Sequence, residues 1–301
     1  MCGIVGLFLK SDRLAPEIGT LTARMLHEMR SRGPDSAGFA VYSAREAGVK
    51  ITCVSSTGAT DWQALASALA ERLGTQVDVQ PVEDHAIFRV AENGAAVRAQ
   101  IIEMAPDVTV LSEGHAIEVF KGVGDPDKVA ARYGLAGRSG THAIAHTRMA
   151  TESAVTVAGS HPFSTGADTC LVHNGSLSNH NRLRRVLERA GERFQTENDS
   201  EVAAGYLAHR MRRGETLEAA IGHGISDFDG FFTFAIGTEA GFAVVRDPIA
   251  CKPAVIAETD DWVAMASEFR AIAGLPEVET AEIWEPEPGR IYAWRRQEAR
   301  A

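Results

Sequence analysis

A chain of 301 residues, 45% hydrophobic and 23% charged, has the make-up of a soluble globular protein of one large domain or two small ones. Its formal net charge of −10 argues against a nucleic-acid surface, which needs basic patches against phosphates. No apolar run approaches the roughly 20 residues that cross a bilayer. The N-terminus also lacks the basic and long apolar regions of a signal peptide, so a cytoplasmic protein that stays off membranes is expected.

In chain order, the sequence opens on Met1-Cys2-Gly3-Ile4-Val5-Gly6. If Met1 is removed, Cys2 carries both a thiol and a free α-amine. The thiolate is a strong nucleophile, and an α-amine with an unperturbed pKa of about 7.7–8.0 takes a proton near neutral pH. By itself, such a cysteine also reads as a small hydrophobe on a first strand. Gly3–Leu9 is apolar and β-branched and predicts a buried strand. Ala15–Arg30 places Ile18, Leu21, Met25 and Met29 on one helical face, and Gly33-Pro34 ends that helix. Further strands are predicted at Gly38–Tyr42, Thr141–Thr147, Thr169–His173, Phe231–Ile236, Phe242–Arg246 and Trp262–Ala266. Helices are predicted at Asn179–Ala190, Ser200–Arg213 and Leu217–Gly222. The run Arg210-Met211-Arg212-Arg213 suits a solvated helix end.

Residues 56–114 have a rhythm of their own. Asp61–Leu73 and Asn93–Met104 are helical in period, while Gln76–Val79, Ala86–Val90 and Val108–Leu111 read as strands. With Ile51–Val54 in front, the order is βαββαβ, a small ferredoxin-like unit. It is expected to serve docking or communication, since it supplies none of the candidate site residues.

The four cysteines, Cys2, Cys53, Cys170 and Cys251, form no CxxC pair, so neither a zinc site nor a disulfide framework is indicated. His142 and His146 stand four apart, but on a predicted strand and without a carboxylate partner, so no metal is assigned to them.

Four segments follow the opening in a fixed order: Arg32-Gly33-Pro34-Asp35-Ser36-Ala37-Gly38, His146-Thr147-Arg148-Met149-Ala150-Thr151, His173-Asn174-Gly175 and Asn198-Asp199-Ser200-Glu201. Behind Met-Cys-Gly-Ile-Val-Gly they closely resemble the class II glutamine amidotransferase domain, an N-terminal-nucleophile hydrolase. The resemblance covers residues 1–55 and 115–295. It implies an α+β fold, a four-layer αββα sandwich with residues 56–114 inserted as the βαββαβ subdomain and 296–301 as a tail. It implies that Cys2 is the nucleophile and its α-amine the base. The Asn174 side-chain amide and the Gly175 backbone N–H would form the oxyanion hole. Arg148 would grip the substrate α-carboxylate, with Thr151 as a second ligand, and Asp199 would receive the α-ammonium. Arg32 and Asp35 would form a charged pair locking the loop beside Cys2, with Gly33 permitting a turn.

Plainer readings stand beside these. Asn174-Gly175 is also a hairpin-turn signal after a strand, Arg148 a surface ion-pair partner and Asp199 a helix N-cap. Met149 departs from the aromatic residues frequent at that place. Asp247-Pro248 and Lys252-Pro253 match a scaffold segment of the family.

Relatives of this kind normally carry a synthase domain that consumes the ammonia. No phosphoribosyl-binding, sugar-isomerase, ATP-pyrophosphatase or flavin-barrel motif is found here, so synthase partner subunits are expected. In length and insertion the chain most resembles the small subunit of N-methylglutamate synthase, a glutamate synthase-like complex. The substrate is then glutamine or γ-glutamylmethylamide, and ammonia or methylamine leaves. A glutaminase subunit of another ammonia-dependent synthase and a catalytically silent regulatory subunit are the alternatives. The resemblance calls for no cofactor in this chain and leaves a flavin or iron–sulfur cluster to partner subunits.

Overall fold

The computed structural model describes residues 2–91, 93–150 and 155–296. The chain begins with β1 (Gly3–Leu9), α1 (Ile18–Glu28) and β2 (Ser36–Tyr42). A second stretch holds β3 (Val49–Ser55), α2 (Trp62–Leu73), β4 (Val77–Val82), β5 (His85–Val90), α3 (Gly94–Met104) and β6 (Val108–Gly114). Then come β7 (Ile117–Val123), α4 (Pro126–Arg132), β8 (His142–Arg148), β9 (Phe163–Gly166) and β10 (Thr169–Leu177). Three helices follow: α5 (His180–Arg189), α6 (Asp199–Arg212) and α7 (Leu217–Asp227). The last strands are β11 (Gly230–Thr238), β12 (Gly241–Arg246), β13 (Val255–Glu258), β14 (Trp262–Ala266), β15 (Glu282–Trp284) and β16 (Ile291–Arg295).

Two antiparallel sheets are stacked. One runs β15-β13-β14-β1-β8-β2-β7 and the other β16-β12-β11-β10-β9. The period of two in their strands decides the layers. In β1, Ile4 and Phe8 face the second sheet, where they meet Val172, Ala235 and Phe242. The alternate residues Val5, Leu7 and Leu9 turn outward and pack with Ile18, Leu21 and Met25 of α1. On the far side, Leu171, Phe232, Phe234 and Val245 are covered by Leu183 and Leu187 of α5 and by Val202 and Leu207 of α6. Each such buried side chain contributes about 1.5–3 kcal/mol. The result is the four-layer αββα sandwich that the resemblance implies.

The helix predicted over 15–30 is shorter than its pattern. Pro16 sits in a 3-10 turn at Ala15–Glu17, and a second 3-10 turn at Arg30–Arg32 follows Glu28. The Arg210–Arg213 run closes α6, where cations favour the dipole.

The third sheet, β4-β5-β3-β6, is antiparallel throughout and carries α2 and α3 on one face. Ile51, Cys53, Phe88 and Val110 bury that face against Trp62, Leu69, Val97 and Ile101. Its first strand starts at Val49, ahead of residue 56. Its other face is not free: Val54 and Leu111 join the central core, and Ile87 joins the outer core beside Phe120. The link from β6 to β7 is fastened by Asp168, which accepts from the backbone N–H groups of His115, Ala116 and Ile117 at 2.7–3.0 Å. The small unit is therefore built into the sandwich along one side.

Candidate active site

β1 lies between β14 and β8 in the register Gly3↔Thr147, so Cys2 emerges beside Arg148 at the end of β8. Ser267, just after β14, pins the start of β1: its Oγ accepts from the Ile4 N–H at 3.0 Å and its own N–H donates to the Ile4 carbonyl at 3.0 Å. From the facing sheet, the buried Asn174 donates through Nδ2 to the Cys2 carbonyl at 3.3 Å. A cleft of about 590 Å³ opens here, with Cys2, Arg148, Gly175, Asp199, His161 and His173 in its walls. The fold thus brings Cys2, Arg148, Asn174, Gly175 and Asp199 to one end of the sandwich. Thr151, like Met1, lies outside the described residues. Met149 is 40% exposed, lines the cleft, and its carbonyl accepts from the Cys2 thiol at 3.9 Å.

Arg32 and Asp35 do not act as the expected charged pair. Arg32 donates from Nε to the Cys2 carbonyl at 2.9 Å and from Nη1 to Glu268, which also holds Arg270 at 2.8 Å. Asp35 instead accepts from the Ala150 N–H at 2.8 Å, and its own N–H donates to the Arg148 carbonyl at 3.1 Å. One residue braces the strand carrying Cys2, the other the segment carrying Arg148. Gly33 between them has φ −152°, so no left-handed turn requires it. A Cβ there would lie 2.5 Å from the Arg148 nitrogen, so close approach of two backbones is the reason for glycine.

The strand predicted to stop at His173 runs on to Leu177, pairing Asn174 with Thr233 and Gly175 with Phe232. Asn174-Gly175 is thus mid-strand, and the hairpin reading fails because β11 supplies a partner along the whole length. Gly175 has φ +153°, and a Cβ on it would lie 1.9 Å from the Phe231 carbonyl oxygen. Phe232 commits both its backbone groups to Asp247: its N–H donates to Oδ2 at 2.8 Å and its carbonyl accepts from the Asp247 N–H at 2.9 Å. The Gly175–Phe232 pair is therefore of the non-hydrogen-bonded kind. The Gly175 N–H is directed to the opposite side of β10, past the residues that β9 covers.

Asn198 caps α6 by accepting from the Ser200 N–H at 2.9 Å, so Asp199 is the first helical residue and not the cap. Its Oδ2 accepts from the Leu177 N–H at 2.8 Å and its Oδ1 from the Ser200 hydroxyl at 3.1 Å. Because that hydroxyl donates to Asp199, it accepts from His173 Nδ1 at 2.8 Å. Burial pushes the Asp199 pKa up, but His173, the Leu177 N–H and Ser200 outweigh it and hold the carboxyl well below its ordinary range. The result is a fixed negative charge at the positive end of a helix.

The thiols differ sharply. Burial pushes Cys53 far up and Cys170 up to about 12, while Cys2 is half-buried on the cleft and Cys251 is exposed. Burial lowers both His142 and His146 to about 3. Their Nε2 atoms donate to the carbonyls of Thr238 and His173 at 2.9 and 3.0 Å, so these imidazoles join strands of the two sheets. Among the described residues, no helix is long and apolar enough to cross a membrane.

Residues 146–274 match a family described as a glutamine amidotransferase domain. The chain is 53% identical over 301 residues to the glutamine amidotransferase-like protein GlxB of Rhizobium meliloti (strain 1021), covering 99% of this chain and 100% of that protein. It belongs to the glutamine amidotransferase family. A putative glutamine amidotransferase of Methanothermobacter thermautotrophicus is 35% identical over 306 residues, covering 98% of this chain and 99% of that protein. The glutamine phosphoribosylpyrophosphate amidotransferase of B. subtilis has the same fold, with a TM-score of 0.63 at 23% identity. The match takes in 98% of this chain but 47% of that one, so the amidotransferase spans about half the length of that solved structure.

Several residues in the cleft or bracing it carry no role in the sequence reading. His173 and Ser200 stand inside quoted segments, so the signal was present, but their role in holding Asp199 depends on α6 meeting β10. Glu268 had no signal at all: it meets Arg32 across 236 residues of chain. His161, 5% exposed and lining the cleft, follows no local pattern either.

Proposed function

We propose that this chain is a glutaminase-type subunit that hydrolyses a γ-glutamyl amide through Cys2 and passes the released amine to a partner synthase. The observation that carries this reading is the convergence of Cys2, Arg148, Gly175 and Asp199 on one cleft, with Asn174 bonded to Cys2 behind it. The Cys2 thiol gives its proton to the α-amine, and the sulfur attacks the amide carbon. The oxyanion forms beside the Asn174 amide and the Gly175 N–H. The carbon–nitrogen bond then breaks, and the amine leaves with the proton held by the α-ammonium. Water hydrolyses the thioester to glutamate and restores the thiol. Arg148 and Asp199, of opposite charge, suit the α-carboxylate and α-ammonium of the substrate. With Met1 attached, the Cys2 nitrogen is an amide and cannot be the base, so the active form starts at Cys2.

Within this reading we assign the chain to an N-methylglutamate synthase-like complex, on its inserted unit. The ratio of kcat/KM for γ-glutamylmethylamide to that for glutamine tests this assignment, and a preference for glutamine reassigns the chain to an ordinary ammonia-dependent synthase. The hydrolytic reading itself is tested by labelling. A γ-glutamyl electrophile such as diazo-oxo-norleucine is expected to modify Cys2 alone, and Cys2→Ala to abolish hydrolysis while melting is preserved. Labelling of Cys251 with Cys2 untouched would overturn it.

A further inference from the structure

Three buried polar side chains beside the cleft at Cys2 form one hydrogen-bonded chain. His146 of β8 donates from Nε2 to the carbonyl of His173 on β10 at 3.0 Å. His173 Nδ1 meets the Ser200 hydroxyl of α6 at 2.8 Å, and that hydroxyl meets Asp199 Oδ1 at 3.1 Å. An ionised carboxylate only accepts and a hydroxyl has one proton, so the chain runs from His173 through Ser200 to Asp199. His173 Nδ1 stands 3.7 Å from Asp199 Oδ1, beyond hydrogen-bond reach, so the hydroxyl is the bridge. His146, His173 and Ser200 are 1%, 3% and 1% exposed, which shields these bonds from competing water. Phe234 meets the His173 ring edge-on at 4.9 Å and packs it in place.

The chain joins the two charges that line the cleft. Arg148 follows His146 by two residues on β8 and so lies on the same face of that strand. Asp199 is the other end. Its Oδ2 is held by the Leu177 N–H at 2.8 Å and its Oδ1 by Ser200, so both oxygens of the carboxylate are fixed. Without the hydroxyl, one hold remains and the carboxylate can turn about it. The hydroxyl bond is charge-assisted, the stronger kind. We propose that His146, His173 and Ser200 are positioning residues that set Asp199 against Arg148, and so make the cleft select an amide with a free α-ammonium beside its α-carboxylate. The proposal rests on the reading of Arg148 and Asp199 as substrate anchors and adds what gives that pair its selectivity.

L-Glutamate and glutarate differ only in the α-ammonium, so the ratio of their dissociation constants on the full-length protein reads the ammonium site alone. Measured by calorimetry, glutarate is expected to bind about tenfold or more weakly than L-glutamate. Ser200→Ala should cut that ratio at least about fivefold by weakening L-glutamate, with glutarate binding kept within about twofold. Retained glutarate binding also shows that the variant is folded around Arg148. His173→Phe keeps the bulk of the ring without its donor and should lower the ratio likewise. His173→Asn restores a donor near the place of Nδ1 and should recover part of it. A ratio lost in Asp199→Asn but intact in Ser200→Ala and His173→Phe overturns the proposal and spares the reading beneath it. Equal loss of both ligands in Ser200→Ala also overturns it, because the chain would then support the cleft as a whole. A ratio near one in the unmodified protein, or one that Asp199→Asn leaves unchanged, removes Asp199 as the ammonium anchor and the proposal with it.

Discussion

Asp199 and Arg148, of opposite charge, line one cleft. Asp199 is kept ionised by His173, Ser200 and the Leu177 N–H against the pressure of burial. Its folded-state pKa is depressed, so its contribution to stability is fully present above the unfolded value and is lost as pH falls through the folded one. In the proposed reaction these two groups hold the amino-acid end of the substrate. Losing a hydrogen-bonded charge from such a site costs about 2–5 kcal/mol. Arg148→Ala and Asp199→Ala are therefore each expected to raise KM between about thirtyfold and several thousandfold. Steady-state kinetics on both variants checks this, and unchanged KM in both places the pocket elsewhere.

At the scale of elements, Cys2, the proposed nucleophile, is positioned by a loop rather than by β1 alone. Arg32 reaches from the turn after α1 to the Cys2 carbonyl and is itself held by Glu268 beyond β14. The Arg32 side chain is 9% exposed and Glu268 34%, so the guanidinium end of the link is shielded from water while its carboxylate end is partly open. Removing Glu268 leaves that guanidinium without its carboxylate and frees the start of β1 to shift. Displacement of a reacting group by about 1 Å can cost a hundredfold in rate. Glu268→Gln is thus expected to lower kcat about ten- to a hundredfold with KM nearly unchanged, because it touches neither Arg148 nor Asp199. A matching rise in KM without a fall in kcat would show that the loop serves substrate binding instead.

At the scale of the whole molecule, two buried imidazoles tie the sheets together. Unfolding exposes His142 and His146 and returns them from about 3 toward the ordinary value of 6.5. The unfolded chain therefore takes up protons first, and stability falls as pH drops through that window, by about 1.4 kcal/mol per pH unit for each group. Urea unfolding midpoints should decline between about pH 6 and pH 4, and His142→Gln should flatten the slope by roughly one group's share. The small sheet is the other feature of this scale. Excising residues 58–112 removes Leu111 from the central core and Ile87 from the outer one, where loss of a large aliphatic side chain costs about 2–5 kcal/mol each. Against a total stability of about 5–15 kcal/mol, the deleted protein is expected to lose its cooperative melting transition. A docking role for this unit is better probed by charge reversal on the exposed faces of α2 and α3.

The sequence by itself determined most of the strands and helices, and the resemblance carried by its short segments implied the layers and the residues of the proposed site. Continuously apolar strands such as Gly3–Leu9 and Trp262–Ala266 carry their burial on both faces in their own composition, and short segments around Cys2, Arg148, Asn174 and Asp199 carry their chemistry with them. The βαββαβ order of the small unit was legible for the same reason, since each helix and strand shows a local period. Tertiary structure alone decided the rest. Asn174-Gly175 has the local signature of a turn, but β11 pairs with it and extends the strand to Leu177. β7 and β13 were missed because their place is set by neighbours in the sheet. The second buried face of the small sheet and the reach of Arg32 to Glu268 are contacts between residues far apart in the chain. No local period records such contacts, because their energy appears only when the layers close.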